Sequence, residues 1–185
     1  MALSPAFADI RPFLWHNYHE ANSPRFTISN RYTATLDLSN FRLEDYLKTI
    51  RSVRRQEFKK TTAKITETKD SALFLDLYIK TFERQGIIVS PQQLELVNGI
   101  VTSALVNCFG RLSVATTIDG VASMSLFVYD SHSAYYLFGA NNPELRNGGA
   151  STALMIDNIC AMAELSLSKL DFVGVNSPNR GDFKL

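Results

Sequence analysis

A glycine-rich turn sits between a strand-like stretch and a long apolar run, and that junction limits the fold more than any other part of the chain. The turn is Arg146-Asn147-Gly148-Gly149-Ala150-Ser151, and the run behind it extends from Thr152 to Leu167. Three strand-like segments precede it, between Arg111 and Gly139, and a short one, Leu170 to Val175, follows the run. A helix that starts straight after small residues leaves its first backbone N–H groups without intrahelical partners. Together with the helix dipole, those donors suit an anion such as a phosphate. Gly148 and Gly149 are the candidates for close backbone approach to such a group, flanked by Arg146, Asn147, Ala150 and Ser151. The plain alternative is a loop whose glycines relieve strain ahead of a helix. The turn is not a P-loop, because no Lys-Ser/Thr follows, and not a dinucleotide fingerprint, because its glycine spacing differs.

The segments upstream fix the rest of the fold class. Asp119-Gly120 lies between the alternating runs Arg111 to Ile118 and Val121 to Tyr129, a strong hairpin signal. A second turn at Asp130-Ser131-His132-Ser133 leads into Ala134 to Gly139. Ser90-Pro91-Gln92-Gln93 starts a helix: Ser90 caps it, Pro91 takes its first position and Gln93 can return the capping box. That helix is expected to run to Gly110. Phe74, Tyr78 and Phe82 share one face of a helix from Ser71 to Gln85, which Gly86 ends. Tyr32 to Leu38 and Thr62 to Thr68 alternate as strands, and one helix is expected between them, from Leu43 to Lys59. The sum is an α+β fold, a mixed and mostly antiparallel sheet flanked by helices, with the last helix covering one face. Residues 1–40 read as an irregular segment and a strand, and residues 41–185 as the main domain. The last strand is expected to leave an open sheet edge, through which a homodimer could form.

At 185 residues the chain is long enough to bury a substantial core, and 45% apolar with 20% charged residues is ordinary globular composition. The formal net charge of +1 argues against wholesale nucleic-acid binding. No window supplies the ~18 consecutive apolar residues of a membrane helix. Asp9 and Arg11 interrupt any secretory signal, and Cys108 and Cys160 read as isolated small hydrophobes in helical faces. The expected address is cytoplasmic. His16 and His19 lack a carboxylate or cysteine to complete a metal set, so no metal is expected.

The succession of hairpin, R-N-G-G-A-S, long helix, L-D-F-V-G-V-N-S-P and D-F-K resembles the Fem-type and BioF2-like branch of the GNAT acyltransferase superfamily. V-R-R-Q-E-F-K-K likewise resembles the arginine-rich helix that precedes this domain in such proteins. The resemblance covers roughly Arg11 to Leu185. It implies a GNAT-like domain and an N-acyltransferase, using acetyl-CoA or another acyl-CoA, or else aminoacyl-tRNA, as donor. A small-molecule or peptide amine would be the acceptor. Laid on the superfamily motif Q/R-x-x-G-x-G/A, Arg146 stands first, Gly149 fourth and Ser151 sixth, where Ser151 departs from the expected small residue. The resemblance also implies a further helix and closing strands beyond the F-K segment, so the domain reads as incomplete at its C-terminus. A different class of function stays open on that account: a non-catalytic, degenerate fragment that serves as a binding or dimerisation module.

Acyl transfer to an amine needs orientation, neutralised donor phosphates and a stabilised oxyanion, and no covalent nucleophile. The sequence has no G-x-S-x-G elbow. Lys184 follows Phe183 where the resemblance places a lysine beside the acyl group; the bland alternative is a frayed terminal side chain. Asn176 and Asp171 flank the last strand, a usual place for substrate contacts, though Asn176-Ser177-Pro178-Asn179 also satisfies turn chemistry. Tyr136 is a candidate general acid toward a leaving group, weighed against core packing. Arg54 and Arg55, with Arg51, are candidates for substrate or tRNA phosphate, weighed against a solvated helix face.

Overall fold

The computed structural model describes residues 9–29, 32–145 and 148–175. The chain divides into two compact units, Met1–Arg31 and Tyr32–Leu185. In the first, helix α1 (Arg11–Leu14) opens with Pro12 in its first turn. The Arg11 guanidinium donates to both oxygens of Asp9, at 2.8 and 2.7 Å. The Phe13 and Phe26 rings meet edge to face at 5.7 Å.

The second unit follows the order β1 (Thr35–Asp37), α2 (Leu43–Thr49), α3 (Ser52–Lys60), β2 (Lys64–Glu67), α4 (Ser71–Glu83), α5 (Pro91–Val106) and β3 (Gly110–Thr117). It continues with β4 (Gly120–Tyr129), β5 (Ser133–Asn141), α6 (Ala150–Glu164) and β6 (Lys169–Asp171). The strands form one six-stranded sheet in the order β1-β6-β5-β4-β3-β2. Every neighbouring pair is antiparallel except β5 and β6, which are parallel. The expected α+β class, with a mixed sheet flanked by helices, is what forms.

Helices α4 and α5 cover one face, where Phe74, Leu77, Val101, Leu112, Met124 and Leu126 are buried together. Helix α6 covers the other, packing Met155, Ile159 and Met162 on Phe127, Ala134 and Leu170. Each fully buried side chain of this size is worth about 1.5–3 kcal/mol, so both layers are needed. Under α6 the fully buried Asn158 side chain joins three elements. Its Oδ1 accepts from Ser113 Oγ at 3.0 Å and Arg111 Nη1 at 3.1 Å, and its Nδ2 donates to Ser125 Oγ at 3.3 Å. The hydrogen bonds that satisfy the buried amide also fix the position of α6 over β3 and β4.

The cap signals hold where they are local. Ser90 Oγ accepts from Gln93 N at 3.2 Å, and Asp70 caps α4 by accepting from Leu73 N at 2.9 Å. Gln93 does not return the capping box, for its side chain donates to Tyr78 Oη at 3.4 Å. Four expectations need correction. The single helix from Leu43 to Lys59 is two, broken at Ile50 and Arg51, whose ψ values of 156° and 142° are extended. Thr49 Oγ1 turns back on the Tyr46 carbonyl at 2.8 Å, and Arg55 Nη2 donates to the Ile50 carbonyl at 3.4 Å, so side chains satisfy the break. Helix α5 stops at Val106 instead of Gly110, and the exposed Cys108 takes the left-handed position, φ 56°. Gly110 is a strand residue, and a Cβ there would lie 2.6 Å from Ala104 Cβ. Finally, β6 is not a sheet edge. The N-terminal strand β1 pairs along it, Thr35 opposite Asp171 and Asp37 opposite Lys169, which covers the edge expected to be open for a second copy. Among the described residues no helix is long and apolar enough to cross a membrane.

Candidate active site

The sheet parts between β5 and β6. They pair only over Ser133–Lys169, Ala134–Leu170 and Tyr135–Asp171. Beyond Tyr135, β5 runs on to Asn141 with β4 as its partner among the described residues. The chain after Asp171 stays with the other side, donating Phe172 N to Ala34 O at 2.8 Å and Val175 N to Tyr32 O at 3.0 Å. Val173 (φ 44°) and Gly174 (φ 67°) are left-handed and cannot continue a β ladder. The two parallel strands therefore part at their carboxyl ends, the usual place for a ligand in such sheets.

Tyr136 and Gly139 lie along this opening. Leu126 stands opposite Phe138 but Phe127 opposite Tyr136, so β5 carries one extra residue, Leu137. Bulges of this kind re-aim side chains beside active sites. Here the Tyr136 ring stacks near Phe127, centroids 5.1 Å apart, and a Cβ at Gly139 would collide with the Tyr136 hydroxyl. Burial pushes the Tyr136 phenol up to about 12. The group therefore keeps its proton across the physiological range.

The first turn of α6 follows the end of β5. Gly149 is its N-cap at φ 72°, and the first helical bond runs from Ala153 N to Gly149 O at 3.0 Å. The N–H groups of Ala150, Ser151 and Thr152 meet no acceptor among the described residues. Three groups hold this corner in place. Ser151 Oγ donates to Asn141 Oδ1 at 2.5 Å, Ser123 Oγ donates to the same oxygen at 2.8 Å, and Asn141 N donates to Thr81 Oγ1 at 2.7 Å. The Ser151 hydroxyl thus ties the helix to the strand. Gly148 is exposed, and a Cβ there would meet nothing within 4 Å. Gly149 is buried, and its close approach is to protein: a Cβ would lie 2.7 Å from the Glu57 carbonyl oxygen of α3.

Glu57 is the residue that sequence reasoning missed. Its Oε2 accepts from Thr152 Oγ1 at 2.6 Å and from Arg54 Nη1 at 2.9 Å. Partial burial raises its pKa, but the hydrogen bonds from Thr152 and Arg54 outweigh that, and the net shift is downward. Arg54 is therefore engaged with Glu57, and Arg55 turns toward the Ile50 carbonyl with its buried Nε unbonded. Asp171 lies where β6 leaves β5. Its Oδ1 accepts from Thr33 Oγ1 and, at 2.8 Å, from Val173 N. The structure thus sets the start of α6, from Gly148 to Ser151, against Asn141 at the end of β5 and leaves Tyr136 five residues back along that strand, beside Phe127 and Gly139. Arg54 shares the Glu57 carboxylate with Thr152, and Asp171 stands at the joint of β6. Arg146, Asn147, Asn176 and Lys184 lie outside the described residues.

The N–H groups at the start of α6, next to the exposed Gly148, are donors of the kind that can hold a phosphate group such as that of an acyl-CoA. The neighbouring Glu57 carboxylate is balanced by Arg54.

Residues 42–184 match the sequence model of the Acetyltransferase (GNAT) domain. Among solved structures the chain resembles FemX, with TM-score 0.67 and 11% identity over 79% of this chain and 53% of FemX. It thus spans about half the length of FemX. It also resembles a predicted acetyltransferase with acetyl-CoA from Clostridium acetobutylicum, with TM-score 0.54 and 14% identity over 66% of this chain and 87% of the other. A conserved protein of unknown function from Bacteroides thetaiotaomicron shares the fold at TM-score 0.60 and 9% identity, over 83% and 55% of the two chains. The search of curated protein sequences found no match. With the family model covering most of the chain and the sheet splaying ahead of a glycine-capped helix, the chain belongs to the GNAT acetyltransferase domain family.

Proposed function

We propose that this protein moves an acyl group from acyl-CoA to an amine on a small molecule or peptide, and that it lies close to the Fem-type and BioF2-like branch. The carrying observation is that the N–H groups of Ala150, Ser151 and Thr152 meet no acceptor among the described residues, at a helix start tied to Asn141 at the end of β5. The donor's pyrophosphate would be held by these groups with Gly148, its pantetheine arm entering the cleft beside Tyr136. The bound donor supplies an activated thioester carbonyl. Tyr136 holds its proton at Oη and would give it to the departing sulfur as the C–S bond breaks, and the proton released by the attacking amine would restore the phenol. Its raised pKa keeps the phenol protonated beforehand but does not make it a stronger acid. Lys184 and Asn176 complete the reading on the resemblance alone, as groups that stabilise the carbonyl oxygen and orient the amine.

An aminoacyl-tRNA donor is less favoured. Arg54 is taken up by Glu57 and Arg55 is half-buried, so the two arginines expected to meet tRNA phosphate are not fully exposed. One observation favours a second, non-catalytic reading: the Glu57 carboxylate already stands at the first turn of α6, at Thr152. Isothermal titration separates them. Saturable binding of acetyl-CoA with no binding of uncharged tRNA supports the proposal. Binding of tRNA alone overturns the acyl-CoA donor, and binding of neither supports the non-catalytic reading.

A further inference from the structure

The sharpest backbone outlier in the second unit is Val173. A β-branched residue at φ 44° is a true exception, because the Cβ is crowded against its own carbonyl. Gly174, next to it at φ 67°, incurs no such cost. Such strain persists only where surrounding groups over-determine it. The group facing Val173 N is the Asp171 carboxylate, two residues back, at 2.8 Å, and the same Oδ1 accepts the Thr33 hydroxyl from the segment leading into β1. Asp171 therefore joins the neighbouring chain to a bend in its own, at the last residue where β5 and β6 are paired.

We propose that Asp171 is a positioning residue for the donor cleft: it holds Val173 in the left-handed conformation, and that bend keeps the chain after β6 away from β5. The inference rests on the acyl-CoA reading for its ligand, not for its geometry. Were residues 172–175 extended, they could continue the parallel pairing with β5 past Tyr135 and close the space beside Tyr136. A charge-assisted hydrogen bond biases such a two-state element by roughly 10- to 100-fold, and apparent affinity falls by the fraction of competent molecules.

The test uses the 185-residue chain as wild type, Asp171→Ala, Val173→Gly and the double variant. Hydrogen exchange at the Val173 amide reads the anchor without any ligand, and titration with acetyl-CoA reads the cleft. The expected result is a Val173 amide protected in the wild type and fast in Asp171→Ala. Acetyl-CoA affinity should drop at least about tenfold in Asp171→Ala and return to within about threefold of wild type in the double variant. Rescue by a glycine two residues away would not follow if Asp171 touched the ligand directly or served only general stability. An unprotected Val173 amide in the wild type overturns the proposal. So does equal acetyl-CoA affinity of wild type and Asp171→Ala, or a double variant as weak as Asp171→Ala. If the wild type shows the amide pattern but no acetyl-CoA binding, the donor assignment fails and the anchor stands.

Discussion

Of the adjacent glycines 148 and 149, only the second should be sensitive to substitution by alanine. Gly149→Ala places a methyl group 2.7 Å from the Glu57 carbonyl oxygen, 3.0 Å from its carbonyl carbon and 3.1 Å from its Cβ. Two of those three atoms are backbone of α3, so relief requires moving a helix and not a side chain. The residue must also keep φ near 72°, which costs a non-glycine about 1–2 kcal/mol. Adding about 1–2 kcal/mol for overpacking gives a loss of roughly 2–4 kcal/mol, or about 5–15 °C in Tm for a chain of this size. Gly148→Ala meets nothing within 4 Å and has no left-handed φ, so its stability should stay within about 0.5 kcal/mol of wild type. Urea denaturation followed by circular dichroism reads both. A Gly149→Ala variant that unfolds at the wild-type midpoint, or a Gly148→Ala variant equally destabilised, would refute the packing of α3 against the start of α6.

Three further outcomes follow from the same geometry. Glu57 has a folded pKa below its ordinary value of 4.5, so its contribution is present at neutral pH and is lost as pH falls through the lowered value. Glu57→Gln should therefore cost of order 1 kcal/mol at pH 7, allowing for screening of a partly exposed group, with the gap closing in acid when urea midpoints are compared. Asn158→Ala strands the Ser113 and Ser125 hydroxyls and an Arg111 N–H under α6, and should destabilise by about 2–4 kcal/mol in the same assay. Tyr136→Phe keeps the ring on Phe127 and removes the proton donor; kcat should fall about 100-fold with a smaller change in KM. With the phenol at about 12, the wild-type rate should show no alkaline loss from this group at ordinary assay pH.

Elements held by local chemistry were legible in the sequence. The β3–β4–β5 meander follows from alternating runs and from Asp119-Gly120, and helix α5 from Ser90-Pro91, because those signals act within a few residues. The break between α2 and α3 was not legible, since no glycine or proline marks Ile50 and Arg51. Nor was the end of α5, where Cys108 takes a left-handed position that glycine usually fills. The pairing of β1 with β6 joins Thr35 to Asp171 across most of the chain, and three-residue strands carry too little pattern to announce a partner. At the site, the glycine turn stood out, but the reason for Gly149 did not. It lies in Glu57, whose bond to Thr152 spans 95 residues and leaves no trace in local spacing. Asp171 was readable as a polar strand end, and only the φ of Val173 shows what its carboxylate holds.

The central claim, that the first turn of α6 receives the donor's phosphates, is tested most directly by following backbone amides in a 15N–1H correlation spectrum during titration with acetyl-CoA. The largest and saturable shifts should fall on Gly148, Ala150, Ser151 and Thr152, with smaller ones along Tyr136 to Asn141. Saturable binding that leaves those four amides unmoved and shifts another surface instead would contradict it.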